Sequence, residues 1–532
     1  MNMIRSRVPK VVGTVLVLAA TGLLASGAAG SVSAGGKVTA QGKAGGTLTV
    51  ALAEDPDALD PTLARTFVGR MVFLHMCEKL YDLNAKLQII PQLAAAMPSL
   101  SADKKTMTIK LRRGVRFNDG TPFNAQAVKI SLDRHRTHPR SARASEISPV
   151  TSVDVVGPYT VRLVLNARYS PLTAQLADRA GMIMSPKQLD ALGDRFASNP
   201  VCVGAFRFVS RTAGDRIVLE KSPYYYAKNK VKLNQIIFRT ITDTSARAAN
   251  LRSHDIDVED RIASTDLPAI QRDKSLRVIK STSIGYQGIS INVGNKNGIG
   301  KPFSNVGTPL SKQFVRQAFE LSLDRKVINR VVFGGTVVPG CLPVPKASPY
   351  YDASIKCPGR NVAKARELLR KAGENPPVAV KLMIGTDQVQ ARLGQVIQSM
   401  ASEAGFRVEL QPTEFVTALA RQDRGQYDAF AVGWSGRVDP DGNIYQFVDS
   451  KGSLNNLGWS TPRMDLLLDN ARKATSLGAR KKLYSNVYKI LRTQLPIIVL
   501  WHPVNRHGVI KSVKGVQTFG DGLIRAYYAE KT

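Results

Sequence analysis

The chain has 532 residues, with 74 Lys and Arg against 41 Asp and Glu, and a formal net charge of +33 at pH 7. This length allows two or three domains with proper hydrophobic cores. So high a charge favours anionic partners, of which nucleic acid is the first to test. The basic residues are scattered, however, without an arginine-rich arm, zinc-ligand spacing or a nucleic-acid fold signature. We therefore exclude nucleic acid as the partner.

The N-terminal residues have the pattern of a signal peptide. Arg5, Arg7 and Lys10 precede an apolar run at 11–25, and small residues follow at 31–34. We predict cleavage after residue 34, because about fifteen apolar residues fall short of the roughly 20 that span a bilayer. Cleavage removes three positive charges and no negative ones, so the net charge falls from +33 to +30. An exported protein of this charge would be attracted to anionic lipid or wall polymer.

Alternating apolar and polar residues predict strands at 47–52, 107–111, 161–165, 205–209 and 216–219. In the second half, apolar residues at helical spacing predict a helix at 314–329, and Asn361 is expected to cap a helix at 361–373. A βαβ unit follows, with a strand at 378–384, a helix at 391–404 and a strand at 406–410. A buried strand is predicted at 427–433. The last strand pair, 508–510 and 516–518, is expected to return to the first part of the fold. These patterns indicate a large mixed α/β protein.

Four motifs follow one another between residues 72 and 134. They are a helix end with Leu-Tyr at 80–81, a P-x-L-A segment at 91–94, a strand pair at 114–122 ending G-V-x-F-x-D-G-x-P, and a helix at 128–134 ending in Arg. In this order they resemble the extracytoplasmic solute-binding proteins of ABC transporters, family 5, of the oligopeptide- and dipeptide-binding type. The resemblance extends over residues 46–530.

The resemblance implies an α/β, two-lobed periplasmic-binding-protein type II fold with an extra subdomain inserted in lobe I. Lobe I would comprise residues 46–286 and 505–532, the inserted subdomain about 86–199, and lobe II 287–504. A monomer of this kind closes on a peptide-like or other small solute by hinge motion and delivers it to a permease and ATPase complex. Many relatives carry a lipid anchor on an early Cys, but no Cys precedes Cys77 here. We therefore expect a periplasmic or cell-surface protein without that anchor.

Catalytic and metal-binding signatures are missing from the sequence. It contains no HExxH or GxSxG, and residues 433–437 miss the nucleophile elbow by one position. His135 and His138 have metal-like spacing but lie among arginines that would repel a cation. We predict no enzyme, no metal and no cofactor. Two rival hypotheses are an exported hydrolase and a cell-surface sensor or adhesion protein that reuses the fold.

The strongest functional stretch is GWSGRVDPDGN at residues 433–443, which includes Ser435 and which in this family faces the cleft. Trp434 suits a wall of the solute pocket, and its alternative is a place in the core. Dipeptide-binding relatives carry an Asp at the position of Arg437, which pairs with the α-ammonium group of the ligand. An Arg suits a carboxylate or phosphate instead. Arg437 therefore either binds an anionic group or pairs with Asp439 or Asp441 and leaves the pocket.

Three further residues complete the predicted ligand site. Tyr286 lies on the expected crossover strand, and Glu54 follows the first strand, where its alternative is a solvated loop. Asp439 is a candidate contact, although capping the next helix is its stronger role. Together with the residues of the loop, they would contact the solute from both lobes.

Four cysteines in an exported chain suggest disulfides. Cys341 and Cys357 flank a loop rich in Pro and Tyr, and a bond between them would be worth about 3 kcal/mol by loop entropy. That pairing leaves Cys77 with Cys202. The alternative is that these two remain unlinked, buried thiols.

Overall fold

The structure is a computed structural model that describes residues 45–532. The predicted signal peptide, residues 1–34, lies outside the described residues. Two large β-sheets, each with a hydrophobic core of its own, divide the described chain into two lobes. Among the described residues, no helix combines the length and the apolar character needed to cross a membrane.

Lobe I is built on a seven-stranded sheet. Its strands are, in spatial order, Leu276–Thr282, Val504–Ile510, Val258–Glu259, Thr47–Leu52, Gln235–Thr240, Arg216–Lys221 and Phe206–Thr212. Helices Phe67–Met76, Thr244–Arg252 and Leu267–Arg272 accompany it. The central strand forms as predicted, and Leu48 and Val50 enter the core, but the strand is not half-buried, because Ala51 on its other face is also fully buried. Strand Thr47–Leu52 runs parallel to Gln235–Thr240. The next helix along the chain, Phe67–Met76, carries a residue of the site described below.

A smaller part of lobe I has a separate core. Its sheet contains Ser99–Leu100, Thr106–Lys110, Thr160–Leu165 and Val150–Gly157, and helices Ala125–Thr137, Leu172–Gln175 and Pro186–Leu192 belong to the same stretch of chain. Met107, Ile109 and Leu163 are buried on one face of this sheet. Short strand pairs complete the lobe: Tyr81–Leu83 with Ile89–Pro91, Val513–Lys514 with Glu530–Lys531, and Gln517–Thr518 with Ile524–Arg525.

Lobe II is built on a six-stranded sheet. Its strands are, in spatial order, Val338–Pro339, Ile497–His502, Tyr286–Ile291, Ala429–Trp434, Val378–Ile384 and Phe406–Pro412. Its helices are Gln313–Ser322, Arg325–Phe333, Val362–Lys371, Gln388–Glu403, Phe415–Asp423, Asp441–Val448, Pro462–Lys473 and Leu477–Gln494. Val378–Ile384 pairs in parallel with Phe406–Pro412, so the predicted βαβ unit is confirmed. Asn361 also caps its helix as predicted, since its Oδ1 accepts from the backbone N–H of Lys364 at 2.9 Å.

Two short crossovers join the lobes. Residues 283–285 connect Leu276–Thr282 of lobe I to Tyr286–Ile291 of lobe II, and Pro503 connects Ile497–His502 back to Val504–Ile510. Tyr286 thus begins a strand of the lobe II sheet and Val504 a strand of the lobe I sheet, one residue from the boundaries that the resemblance implied. The chain passes between the lobes only where these strands change sheets.

Two local predictions are wrong. We expected one helix at 314–329, but the chain forms Gln313–Ser322 and Arg325–Phe333 instead. The break occurs because the carboxylate of Asp324 accepts from the backbone N–H groups of Lys326 and Val327, at 2.8 and 3.0 Å, and so begins a new helix. The strands predicted at 508–510 and 516–518 do not pair with each other. The first pairs with Leu276–Thr282, and Gln517–Thr518 pairs with Ile524–Arg525.

Both predicted disulfides are present. Cys77 is bonded to Cys202 with a Cα–Cα distance of 4.9 Å, and Cys341 to Cys357 with 5.6 Å. The first bond ties the end of helix Phe67–Met76 to the chain just before strand Phe206–Thr212. The second closes a loop at 341–357 of lobe II, which we call the disulfide loop. The alternative of unlinked thiols at Cys77 and Cys202 is therefore wrong.

Candidate functional site

The loop at 433–443 leaves the lobe II sheet at Trp434, the last residue of its strand. Gly436 has a φ of 85°, and a Cβ there would lie 2.4 Å from the backbone N of Gly285 in the first crossover. Only glycine fits so close to that backbone with this φ. Asn443 holds the loop from the other end: its Oδ1 accepts from the backbone N–H of Arg437 at 2.6 Å, and its Nδ2 donates to the Arg437 carbonyl at 3.1 Å. The loop thereby fixes the backbone of Arg437 beside the crossover.

The side chain of Arg437 is buried between the lobes. Its guanidinium carbon lies 4.6 Å from the centre of the Trp434 ring, and its Nε is 2.6 Å from Oδ2 of Asp178 in lobe I. Burial and the neighbouring Arg70 lower the pKa of Arg437 to about 10, so it stays protonated at neutral pH. Its Nη2 is buried without a hydrogen-bond partner among the described residues. A planar cation with an unused donor is suited to binding a further acceptor group.

Asp178 is shared by two arginines, one from each lobe. Besides Arg437, it pairs with Arg70 of helix Phe67–Met76, whose Nη2 lies 2.7 Å from the same Oδ2. Arg70 also donates from Nη1 to Oγ of Ser435 in lobe II at 2.9 Å. Although burial alone would raise the pKa of Asp178, the charges of Arg437 and Arg70 hold it far below its usual range. This ionised carboxylate and its two arginines therefore join lobe I to lobe II.

Two more arginines lie next to this network inside lobe I, and both are fully buried. Arg143 pairs with Glu146 at 2.6 Å, while Arg179 donates from Nη1 to the carbonyl of Ala64 at 2.8 Å. Nε and Nη2 of Arg179 have no hydrogen-bond partner in the described part of the chain. Four guanidinium groups thus face two carboxylates, those of Asp178 and Glu146. Since buried charge is costly without a counterion, this excess of positive charge favours an anion nearby.

A small interlobe cavity of about 20 Å³ adjoins the network. Two of its charged lining residues have partners of their own: Lys79 pairs with Asp82 at 2.6 Å, and Asp521 with Arg525 at 2.7 Å. A much larger cleft of about 940 Å³, which we call the outer cleft, lies beside this inner cavity. The inner cavity is lined by Arg70, Leu74, Lys79, Leu83, Ala174, Ala177, Asp178, Met182, Ile284, Gly436, Arg437, Val438, Asp521 and Leu523. Ile284, Arg437 and Val438 line both spaces.

The family model of the bacterial extracellular solute-binding proteins, family 5, matches residues 88–455, which is more than half of the chain. The chain belongs to this family. Its members are the solute-binding components of ABC importers, which bind peptides or related solutes and deliver them to a permease; they are not enzymes. The two lobes accordingly have the type II periplasmic-binding-protein fold that the sequence motifs predicted.

Individual relatives cover most of the chain. The glutathione-binding protein GsiB of Pectobacterium atrosepticum is 28% identical, over 83% of this chain and 86% of that protein, and GsiB of Salmonella typhimurium is 27% identical, over 85% and 88%. The structure of AgaA from A. tumefaciens R10 in complex with agropinic acid has a TM-score of 0.82 at 25% identity, covering 92% of this chain and 99% of that one. A dipeptide-binding protein of Pseudoalteromonas sp. SM9913 in complex with Met-Leu has a TM-score of 0.82 at 21% identity, over 91% and 100%, and supports the fold alone.

The predicted site residues take different places around this cavity. Arg437 lines it, and Ser435 contacts Arg70 directly beside it. Trp434 is buried and donates its Nε1–H to the carbonyl of Gly442 at 2.9 Å, so it supports the loop and stacks under Arg437. Tyr286 is also buried, and its hydroxyl lies 3.4 Å from the carbonyl of Asn443. Neither aromatic residue is among those lining the inner cavity or the outer cleft.

The acidic candidates are paired elsewhere. Arg480 holds both carboxylate oxygens of Asp439, at 2.6 and 2.8 Å. Glu54 lies 3.1 Å from Arg261, and burial raises its pKa despite that arginine. Asp441 pairs with an arginine of helix Pro462–Lys473. The predicted alternative, that Arg437 pairs with Asp439 or Asp441, is therefore wrong, because both already have buried partners within lobe II.

Arg70 and Asp178 are site residues that the sequence motifs did not predict. Arg70 is a charged residue in the largely apolar segment FVGRMVFLHM, and Asp178 stands next to Arg179 in the largely apolar segment LADRAGMIM. A charge inside such a segment must find a partner when the segment is buried. That signal could have identified both as site candidates, although it would not have shown that they meet Arg437.

Proposed function

We propose that this protein captures a small, peptide-like solute with an anionic group and delivers it to its ABC permease. Arg437 would bind that group at the junction of the inner cavity and the outer cleft. The observation that carries the proposal is the buried guanidinium of Arg437, which lines both spaces and keeps an unused donor at Nη2. Closure of the lobes would then enclose that group between Arg437 and Arg70 of lobe I, both of which line the inner cavity.

The composition of the site supports an anion over a cation. An α-ammonium group placed beside Arg437 would also meet Arg70, and like charges repel strongly in a buried site. A carboxylate or phosphate would instead accept hydrogen bonds from these arginines and reduce their excess of positive charge. We therefore expect that an unmodified dipeptide with its amine at this position is not the preferred solute.

The relatives are consistent with this choice. GsiB is named a glutathione-binding protein, and AgaA is in complex with agropinic acid; both compounds carry carboxyl groups. We propose a solute of the same general class for this chain, without assigning either compound to it.

A thermal-shift and calorimetric screen tests the proposal. The panel contains glutathione, N-acetylated dipeptides, their C-terminal amides, and unmodified dipeptides. Anionic members should raise the melting temperature, since a solute at a hundredfold excess over Kd stabilises the folded protein by about 2.7 kcal/mol. Mass spectrometry of solute released from the purified protein by denaturation then identifies the natural ligand. Equal or stronger binding of the C-terminal amides, which lack the carboxylate, would refute the anionic solute.

A matched pair of variants tests the role of Arg437. Arg437→Gln should weaken an anionic solute by about 2 kcal/mol or more, or roughly thirtyfold, the loss expected for a buried charge-assisted hydrogen bond. Lys364→Gln removes the same charge from the surface of lobe II, where Lys364 pairs with Glu367, and should leave affinity unchanged. If both variants bind the solute like the unmodified protein, Arg437 does not contact it.

We also propose that residues 1–34 are removed on export and that the mature protein acts as a monomer in the periplasm or at the cell surface. The N-terminal motif and the family's extracellular character support this. The high positive charge would attract the protein to an anionic membrane or wall surface. N-terminal sequencing and light scattering of the exported protein test cleavage and oligomeric state directly.

A further inference from the structure

The outer cleft continues from the inner cavity toward solvent between the two lobes. Lobe I contributes the turn at 85–87, residues 279–282 and residues 517–520, and lobe II contributes residues 344–345 and 347–349 of the disulfide loop. Arg437, Val438 and Ile284 stand at the junction of the two spaces. A solute whose anionic group lies at Arg437 can therefore extend into the outer cleft without leaving the interlobe space.

The charged residues of the outer cleft all have the same sign. Besides Arg437, it is lined by Lys86 and Lys280, and no Asp or Glu is among its lining residues. Both lysines are exposed, and neither ammonium group lies within salt-bridge distance of a carboxylate in the part of the chain that the structure describes. In the inner cavity, by contrast, Lys79 is neutralised by Asp82. The outer cleft therefore has a positive potential that no neighbouring acidic residue compensates.

The opposite wall of the outer cleft is uncharged. Val344, Pro345, Ala347, Ser348 and Pro349 form it, and the bond between Cys341 and Cys357 closes the loop that carries them. The backbone N–H of Ser348 donates to the carbonyl of Pro345 at 2.9 Å, which further fixes the turn. A covalently closed, proline-rich wall loses little conformational entropy when a solute packs against it. The lysines of lobe I thus face a preorganised segment whose lining residues are uncharged, with exposed Lys346 beside them in the same loop.

We propose that the outer cleft is a second anion subsite, in which Lys86 and Lys280 bind a second negatively charged group of the solute. This inference rests on the proposed function and narrows it: the solute is extended and carries two anionic groups, one at Arg437 and one in the outer cleft. The second group is a carboxylate or a phosphate, since an ammonium group can donate hydrogen bonds to either.

Two pairs of solutes that differ in one negative group test the inference by calorimetry. Glutathione is compared with its glycine ethyl ester, which lacks one carboxylate. N-acetyl-alanyl-phosphoserine is compared with N-acetyl-alanyl-serine, which lacks the phosphate. The more highly charged member of at least one pair should bind more tightly, and the pair that responds shows whether the second group is a carboxylate or a phosphate. If neither pair shows a preference, the second subsite is refuted.

Variants locate the effect. Lys86→Gln and Lys280→Gln should each lower the affinity for the more highly charged solute roughly two- to fivefold, as expected for ion pairs open to solvent. The affinity for its less charged analogue should stay unchanged. Lys274→Gln is the matched control, because Lys274 is an exposed lysine of the same lobe outside the cleft. The effect of the cleft lysines should fade in 0.5 M salt, where the screening length falls to roughly 4 Å. Equal weakening of both solutes of a pair would overturn the assignment.

The outcomes separate this inference from the proposed function. If anionic solutes bind through Arg437 but gain nothing from a second charge, the proposed function stands and only the second subsite is lost. If Arg437→Gln has no effect on any solute while the two cleft lysines matter, the anion site of the proposed function is wrong. If no anionic solute binds at all, both fail.

Discussion

The ion pair between Asp178 and Arg437 should control closure of the lobes. Its two partners lie in different lobes, 2.6 Å apart, with only 7% and 6% of their side chains exposed. When the lobes separate, both groups reach water. Asp178→Asn and Arg437→Gln are therefore expected to raise the free energy of the closed arrangement relative to the open one, beyond any effect on unfolding.

The size of the effect follows from burial and from the remaining partner. Removing one member of a buried ion pair costs about 3–5 kcal/mol. The lower end applies here, because Arg70 still pairs with Asp178 at 2.7 Å after Arg437 is replaced. A shift of about 3 kcal/mol changes the ratio of closed to open molecules by roughly a hundredfold. In the double variant, the free energy of the closed arrangement relative to the open one should rise by less than the sum of the two single effects. The difference is a coupling energy of about 1 kcal/mol or more.

Small-angle X-ray scattering measures closure, and calorimetry measures the affinity for an anionic solute. Each single variant should increase the radius of gyration of the solute-free protein. Arg437→Gln should also lower the affinity for the solute most, because it removes both the interlobe ion pair and the contact with the anionic group. Asp439→Asn is the control: it breaks a buried ion pair with Arg480 that lies entirely in lobe II. It should lower the melting temperature and leave both scattering and affinity unchanged.

Two results would refute this reasoning. An unchanged radius of gyration in both single variants would show that the pair does not hold the lobes together. Full additivity of the two substitutions would show that Asp178 and Arg437 do not interact in solution. If Asp439→Asn opened the lobes as much as Arg437→Gln, the effect would reflect general destabilisation of lobe II.

Two further predictions concern stability. Replacing Cys77 and Cys202 by Ala should lower the free energy of unfolding by about 5 kcal/mol, and replacing Cys341 and Cys357 by Ala should lower it by about 3 kcal/mol, because loops of 125 and 16 residues differ in closure entropy. Denaturant titrations measure both losses. Equal losses would contradict the loop-entropy argument. Burial raises the pKa of Glu78 to about 7, so the folded protein holds a proton that the unfolded chain releases above about pH 4.5. The free energy of unfolding should therefore fall by up to about 3 kcal/mol between pH 4.5 and 7, and Glu78→Gln should remove this part of the pH dependence in melting experiments.

Local rules predicted individual elements well where one face of the chain enters a core. The first strand, Thr47–Leu52, and the helix capped by Asn361 agree with the structure because alternation and capping depend on neighbouring residues alone. The single helix expected at 314–329 failed for an equally local reason. Asp324 can end one helical segment by capping the next, and apolar spacing does not reveal that competition.

The sequence by itself determined the family, the two-lobed fold and the loop that carries Trp434 and Arg437, because these depend on the order of motifs along the chain. Only the tertiary structure decided what Arg437 contacts. Asp178 is far away in the sequence and joins Arg437 only because two short crossovers bring the lobes together, while Asp439, two residues away, is held by Arg480. The partner of a buried charge is set by packing and desolvation in the folded protein, and distance along the chain does not determine it.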